Sequence, residues 1–230
     1  MANFSKNKNK LNKDIFYSYL IEDARRTIPD GYPIIEDWMV SKELPKHIVQ
    51  WDQKSTTKDK KEVCLSFYCK DDNFTPVLNN PEKYVTSLKE YHSVIGMDAS
   101  PYDKMPLVVQ RNQIYINLAL TYYYGKQGIK IFPNVRVGNN DTLNSLDAYP
   151  KNTFIAVGTN GFMHNKVNRL LFANQMKVVI DVLRPIGIIV YGPIYDIVFE
   201  EAIKKGIPVY PYDSFMMKRN KERKQNERWR

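Results

Sequence analysis

Residues 153–212 decide the fold: TFIAVGTNGFMHNKVNRLLFANQMKVVIDVLRPIGIIVYGPIYDIVFEEAIKKGIPVYPY. Within them TFIAVGT (153–159), GIIVYG (187–192) and IPVYPY (207–212) are short apolar runs bounded by turn residues, which reads as three strands. Between the first two, Asn165 to Leu183 carries apolar residues at helical spacing and stops before Pro185. Between the last two, Tyr195 to Lys205 does the same and stops at Gly206. Strands that are apolar on both sides and alternate with helices need both faces of their sheet covered. That is the signature of a parallel sheet.

The same alternation extends toward the N-terminus. VCLSFYC (63–69), SVIGMD (93–98) and IKIFPNVRV (129–137) read as three further strands. PEKYVTSLKEY (81–91), with Pro81 at its first position, and Leu107 to Lys126, stopped by Gly125 and Gly128, read as the helices between them. The connection 138–152 is polar and shows no helical pattern. The expected architecture is therefore α/β, with a mostly parallel sheet of about six strands. It is either an open doubly wound sheet or an irregular, incomplete β/α barrel, and HIVQWD in the 34–60 stretch can supply one more strand. Asp14 to Arg26 reads as a helix with Asp14 as its N-cap, followed by an irregular extension to residue 60. The expected layout is a basic arm over 1–13, a single domain over 14–215 and a flexible basic tail over 216–230.

Composition excludes several classes. The chain has 230 residues, 43% hydrophobic, which is enough to build a core and rules out disorder throughout. No apolar run reaches the roughly 18–20 residues of a membrane span. Met1 to Lys13 lacks the apolar segment of a secretory signal. Cys64 and Cys69 are too few for a disulfide framework and, five positions apart on a strand, face opposite sides. A reducing cytoplasm fits these features.

The net charge of +9 sits at the two ends. Lys6, Lys8, Lys10 and Lys13 give the first end +4; Lys218, Arg219, Lys221, Arg223, Lys224, Arg228 and Arg230, against Glu222 and Glu227, give the second +5. Residues 14–215 are formally neutral. Basic arms bind DNA or RNA by displacing counterions from phosphates, and Trp229 can stack on a base. A solubilising tail, or a surface helix laced by i,i+4 pairs, would have the same composition. No apolar face accompanies the charge, so a membrane is not the expected partner.

In parallel α/β proteins ligands bind at the carboxyl ends of the strands. The expected residues there include Lys70, Asp71, Asp72, Asp98, Ser100, Tyr102, Asn134 and Arg136. Asp71, Asp72 and Asp98 are the candidate catalytic carboxylates. Asp71 and Asp98 are the candidate Mg²⁺ ligands, with Lys70 or Arg136 set to stabilise developing negative charge. Equally, Asp71-Asp72-Asn73 is what a turn or a helix cap looks like. Arg111 and Asn112, within QRNQ (110–113) at the start of the long helix, are candidate anion ligands. His47, His92 and His164 lack metal-ligand spacing, which argues against zinc, and KDDNF (70–74) replaces any glycine-rich phosphate loop, which argues against NAD and P-loop nucleotides. Beyond Mg²⁺ no cofactor is evident, and no established catalytic signature discloses a reaction.

KDDNF (70–74), Pro81, MDASPY (97–102), Met105-Pro106, QRNQIY (110–115), the tyrosine-rich helix, GIKIFPNV (128–135) and SLDAYPKN (145–152) occur in an order that resembles the DUF4417 family of bacterial, phage and mobile-element proteins, over roughly residues 30–192. The resemblance implies a phage or mobile-element protein that acts near nucleic acid or host defence machinery. Three functions are compatible with this reading. The first is a nucleic-acid-associated protein gripping phosphates with its basic ends. The others are a metal-assisted hydrolase or nuclease using the strand-end carboxylates, and an interaction protein that inhibits a host protein.

Overall fold

A computed structural model describes residues 14–101, 104–160, 163 and 165–228. Among the described residues there are seven strands: β1 (His47–Gln50), β2 (Val63–Ser66), β3 (Ser93–Ile95), β4 (Ile131–Phe132), β5 (Phe154–Gly158), β6 (Gly187–Tyr191) and β7 (Val209–Tyr212). The α-helices are α1 (Asp71–Asn79), α2 (Val85–Leu88), α3 (Leu107–Lys126), α4 (Lys166–Leu183), α5 (Asp196–Lys204) and α6 (Phe215–Arg228).

All strand pairs are parallel, in a four-stranded sheet ordered β1-β2-β3-β4 and a three-stranded sheet ordered β5-β6-β7. A parallel bridge between Asn134 and Ala156 joins them, with Val135 N–H donating to Ala156 C=O at 2.9 Å and Ala156 N–H to Pro133 C=O at 2.8 Å. Lower down, Val40 bridges Ile131 and Ser41 N–H donates to Ile131 C=O at 2.8 Å, so the extension fills the gap where β4 and β5 diverge.

The strand order selects between the two expected architectures. A doubly wound sheet reverses its order at a switch point; here every strand follows its predecessor in sequence. Right-handed crossovers that always advance in one direction put every helix on the same face. The other face can be buried only if the sheet curls onto itself. It does so. Ile48, Cys64, Ile95, Phe132, Ala156 and Ile189, one from each of β1 to β6, form an inner apolar cluster with Tyr68 and Tyr191. The rings of Tyr68, beyond β2, and Tyr191, on β6, stack 5.4 Å apart across this interior. The curl stops short of closure. β1 and β7 share no ladder, and the seam is crossed instead by Tyr212 Oη donating to Pro45 C=O at 2.7 Å. The fold is an incomplete, seven-stranded parallel β/α barrel.

Several local expectations change. Asp14 to Arg26 is not an α-helix: Asp14 accepts from Phe16 N–H at 2.8 Å, but only a 3₁₀ turn at Ser18–Leu20 follows, and Tyr17 is left-handed at φ 58°. Leu20 and Ile21 are buried, while Ile15 and Phe16, which a helix from Asp14 would have carried in its first turn, are exposed. The 34–60 stretch supplies β1 and the wedge at Val40, so it belongs to the barrel. Residues Asn140–Ala148, where no helix was expected, form a 3₁₀ helix. Residues Phe215–Arg228 of the second basic end form α6. The first arm, with Lys6, Lys8 and Lys10, lies outside the described residues.

Candidate functional site

The carboxyl ends of β2, β3 and β4 meet in a buried polar network. β3 runs through Gly96 and Met97 into Asp98, which is buried. Its Oδ1 lies 2.7 Å from Arg136 Nε in an ion pair and accepts from Asn134 Nδ2 at 2.8 Å, and its Oδ2 accepts from Arg136 Nη2 at 3.3 Å. Asn134 is the hub. Its Nδ2 also donates to Met97 C=O at 2.9 Å, its Oδ1 accepts from Tyr68 Oη at 2.9 Å, and its backbone C=O accepts from Tyr149 Oη at 3.1 Å. Burial pushes the Asp98 carboxyl up from its ordinary value, while Arg136 and Asn134 pull it back. Burial also pushes the Tyr68 phenol well up, and the neighbouring Asp98 charge adds to the effect.

A row of polar side chains on α3 fixes the chain that leaves β3. Gln110, Asn117 and Thr121 are spaced seven and four residues apart, hence on one face. Asn117 brackets Ala99, accepting its N–H at 2.7 Å and donating to its C=O at 2.8 Å. Thr121 Oγ1 accepts from Met97 N–H at 3.2 Å. Gln110 donates to Met105 C=O at 2.7 Å and accepts from Asn139 N–H at 2.7 Å, tying the β3 exit to the β4 exit. Each buried amide is satisfied, so the row costs little desolvation and fixes the mouth in one geometry.

The sequence-expected residues divide. Asp71, Asp98, Ser100, Asn134 and Arg136 do gather at the strand ends. Asp71 opens α1 and accepts from Ser100 N–H at 3.3 Å and Oγ at 3.4 Å, tying the β2 exit to the β3 exit. Asp72 and Lys70 are exposed at the start of α1, as a helix-start cluster would be. Arg111 faces Asp30 of the N-terminal extension at 4.0 Å, and Asn112 is exposed on α3. Tyr102 lies outside the described residues. As for Mg²⁺, Asp71 and Asp98 sit on different partners, and Asp98 meets a guanidinium. Among the described residues no group of three or more His, Cys, Asp or Glu is arranged to hold a metal ion. Sequence reading missed Tyr68, Asn117, Thr121 and Tyr149. The one available signal was a polar Asn inside the apolar run IYINLAL.

A cleft of about 430 Å³ opens between β1 with its following 3₁₀ turn and α6, beside the barrel seam. Gln50, Gln53 and Thr56 line one wall; Phe215, Lys218, Arg219 and Glu222 of α6 line the other, with Tyr191 among the lining residues. Lys218 Nζ reaches Ile48 C=O at 3.4 Å, and Lys221 pairs with Asp213 at 2.6 Å. Arg219, Arg223 and Lys224 are exposed. Arg228 ends the helix, while Trp229 and Arg230 lie outside the described residues.

Fold and site together define a parallel β/α-barrel protein with a hydrogen-bonded polar mouth and a basic helix at its seam. The chain matches the family model described as "Domain of unknown function (DUF4417)" over residues 30–211, and it belongs to that family. It is similar to the "Gene 1 protein" of Mycobacterium phage L5, with 23% identity over 65% of this chain and 66% of that protein. It is also similar to the "Gene 1 protein" of Mycobacterium phage D29, with 24% identity over 56% of this chain and 48% of that protein. The chain thus spans between about half and just under two thirds of these phage relatives, and the family is phage-associated. No solved structure matches. No helix among the described residues is long and apolar enough to cross a membrane.

Proposed function

We propose that this phage-family protein binds nucleic acid along α6 and the cleft beside it. One observation carries the reading. Over residues 215–228, α6 holds Lys218, Arg219, Lys221, Arg223, Lys224 and Arg228 against Glu222 and Glu227, and beyond Asn220 every side chain described is exposed. Beyond Met217 the helix is polar on all sides and gains little from packing, and a segment of this length is marginal in isolation. Its fixed array of cations suits a phosphate backbone, where each contact releases condensed counterions. Phe215, 38% exposed on the cleft wall, offers a ring face to a base, as single-strand binders do. The basic arm at 1–13 adds a second electrostatic anchor. On this reading the protein works in the cytoplasm.

Metal-assisted hydrolysis at Asp71 and Asp98 receives less support, because Arg136 already neutralises Asp98. The test is anisotropy binding of the full chain to single- and double-stranded DNA and RNA across a salt series, beside the Arg219→Ala/Arg223→Ala/Lys224→Ala variant. Binding that weakens with salt and drops in the variant supports the reading. Absence of binding, or equal binding by the variant, refutes it and leaves capture of a host protein as the function to pursue.

A further inference from the structure

We infer, resting on the nucleic-acid reading above, that the cleft beside α6 takes an unpaired base carrying an exocyclic amine, and hence that the polymer bound is single-stranded. At about 430 Å³ the cleft has the size of a small-molecule site, not of a groove that seats a duplex. A base reaches such a space only after leaving its stack. That costs a single strand little, whereas a duplex must also break a base pair. On the α6 wall, Phe215, Lys218, Arg219 and Glu222 recur at the three- and four-residue spacing of one helix face. The start of this wall is held in place. Phe215 N–H donates to Tyr191 Oη at 2.9 Å, and Met217 N–H donates to Ser214 Oγ at 3.3 Å. Phe215 is thus kept at the cleft as a ring on which a base stacks. Lys218 and Arg219, one turn further on, meet the phosphates that flank that base.

Hydrogen-bond acceptors on the two walls decide which base. Gln50 commits its Nε2 to the Tyr68 C=O, so the end of its amide left for a ligand is the oxygen. Glu222, on the α6 wall, brings a carboxylate. In a cleft built for phosphate alone that carboxylate would only repel the polymer. Beside a base it is the acceptor that an exocyclic amine requires, such as the N4 amine of cytosine or the N6 amine of adenine. Thymine and uracil carry a carbonyl oxygen in place of that amine, and an oxygen facing Gln50 Oε1 or Glu222 gains no hydrogen bond. Phe215, Gln50 and Glu222 therefore select for an amine-bearing base, while Lys218 and Arg219 supply attraction that every nucleotide shares.

Fluorescence anisotropy of the full chain at neutral pH, with oligonucleotides of about 12 nucleotides, is the test. Oligo(dC) should bind about fivefold more tightly than oligo(dT), and both more tightly than a duplex of the same length. Phe215→Ala, and independently Phe215→Leu, which keeps an apolar side chain without the ring, should each weaken oligo(dC) binding by about fivefold or more. Glu222→Ala should raise the affinity for oligo(dT) and erase the preference for oligo(dC). A carboxylate that acted through its charge alone would, when removed, raise both affinities alike, and that result overturns the choice of base. Equal binding of duplex and single strand, equal binding of oligo(dC) and oligo(dT), or Phe215 variants that bind like the parent overturn the inference and leave α6 as an electrostatic grip. In those cases the Arg219→Ala/Arg223→Ala/Lys224→Ala variant still loses binding. A chain that binds none of the oligonucleotides overturns the inference together with the reading it rests on.

Discussion

Arg136 Nε lies 2.7 Å from Asp98 Oδ1, and this one pair joins the exit of β4 to the exit of β3. Asp98 is almost wholly buried, whereas the Arg136 side chain keeps 26% of its surface in solvent. The two partners therefore differ in what their loss costs. Arg136→Met leaves a buried carboxylate without its cation, and we expect a loss of about 3 kcal/mol at neutral pH. Asp98→Asn leaves a guanidinium that can turn to water, and costs less. The double variant recovers part of the Arg136→Met loss, as a double-mutant cycle by urea unfolding would show.

The burial of Asp98 also gives the fold a pH dependence. Burial holds the Asp98 pKa above its unfolded value. Its protonation therefore stabilises the fold fully below the unfolded value, and this contribution is lost as pH rises through the folded pKa. Removing Arg136 moves the folded pKa further up. Thermal melts of Arg136→Met should accordingly regain stability on mild acidification relative to the parent chain.

Asn117 supplies the only hydrogen bonds recorded for the Ala99 N–H and C=O among the described residues. Asn117→Leu keeps the volume but leaves two buried backbone groups unpaired, for an expected loss of about 2–4 kcal/mol. Hydrogen exchange should localise the loosening to the chain that leaves β3, because Thr121 still holds Met97.

Gly158, at the end of β5, lies under the ring of Tyr68. A Cβ there would stand 2.8 Å from the ring carbons Cδ1 and Cε1 of Tyr68, so Gly158→Ala must displace the ring whose hydroxyl donates to Asn134. The expected cost is about 1–3 kcal/mol. It should shrink when Gly158→Ala is introduced beside Tyr68→Ala, where the clash is absent.

The exposed cations of α6 make a quantitative prediction for nucleic-acid binding. Replacing Arg219, Arg223 and Lys224 with Ala should reduce the slope of log K against log salt by about 2–3, as expected if each had contacted one phosphate. All three are exposed, so the variant should melt like the parent.

His92 is half-buried with Nδ1 2.9 Å from Ser93 Oγ, and burial pushes its pKa below 6.5. The unfolded chain takes up this proton at higher pH than the folded one, so the stability present above about pH 6.5 is lost as pH falls through the folded pKa. Melts of His92→Gln should decline less than the parent chain between neutral and mildly acidic pH.

The alternation of apolar runs with helical periodicity from Val63 to Tyr212 determined by itself that the fold is α/β with parallel strands, because period and apolarity are local properties. It also determined which chain segments carry the strand ends, and hence that Asp71, Asp98, Ser100, Asn134 and Arg136 share one face. Strand order is not local. Only the tertiary structure decided that each strand adds beside its predecessor, so that the sheet curls into a barrel with Tyr68 stacked on Tyr191. Pairing among side chains is not local either. Asp98 and Arg136 are 38 residues apart, and no spacing in the sequence says that this carboxylate meets a guanidinium rather than a metal ion. The same holds for Asn117 and Ala99, and for Val40, which reaches β4 across most of the domain. Such contacts are set by how helices and strands pack, which depends on the whole chain at once.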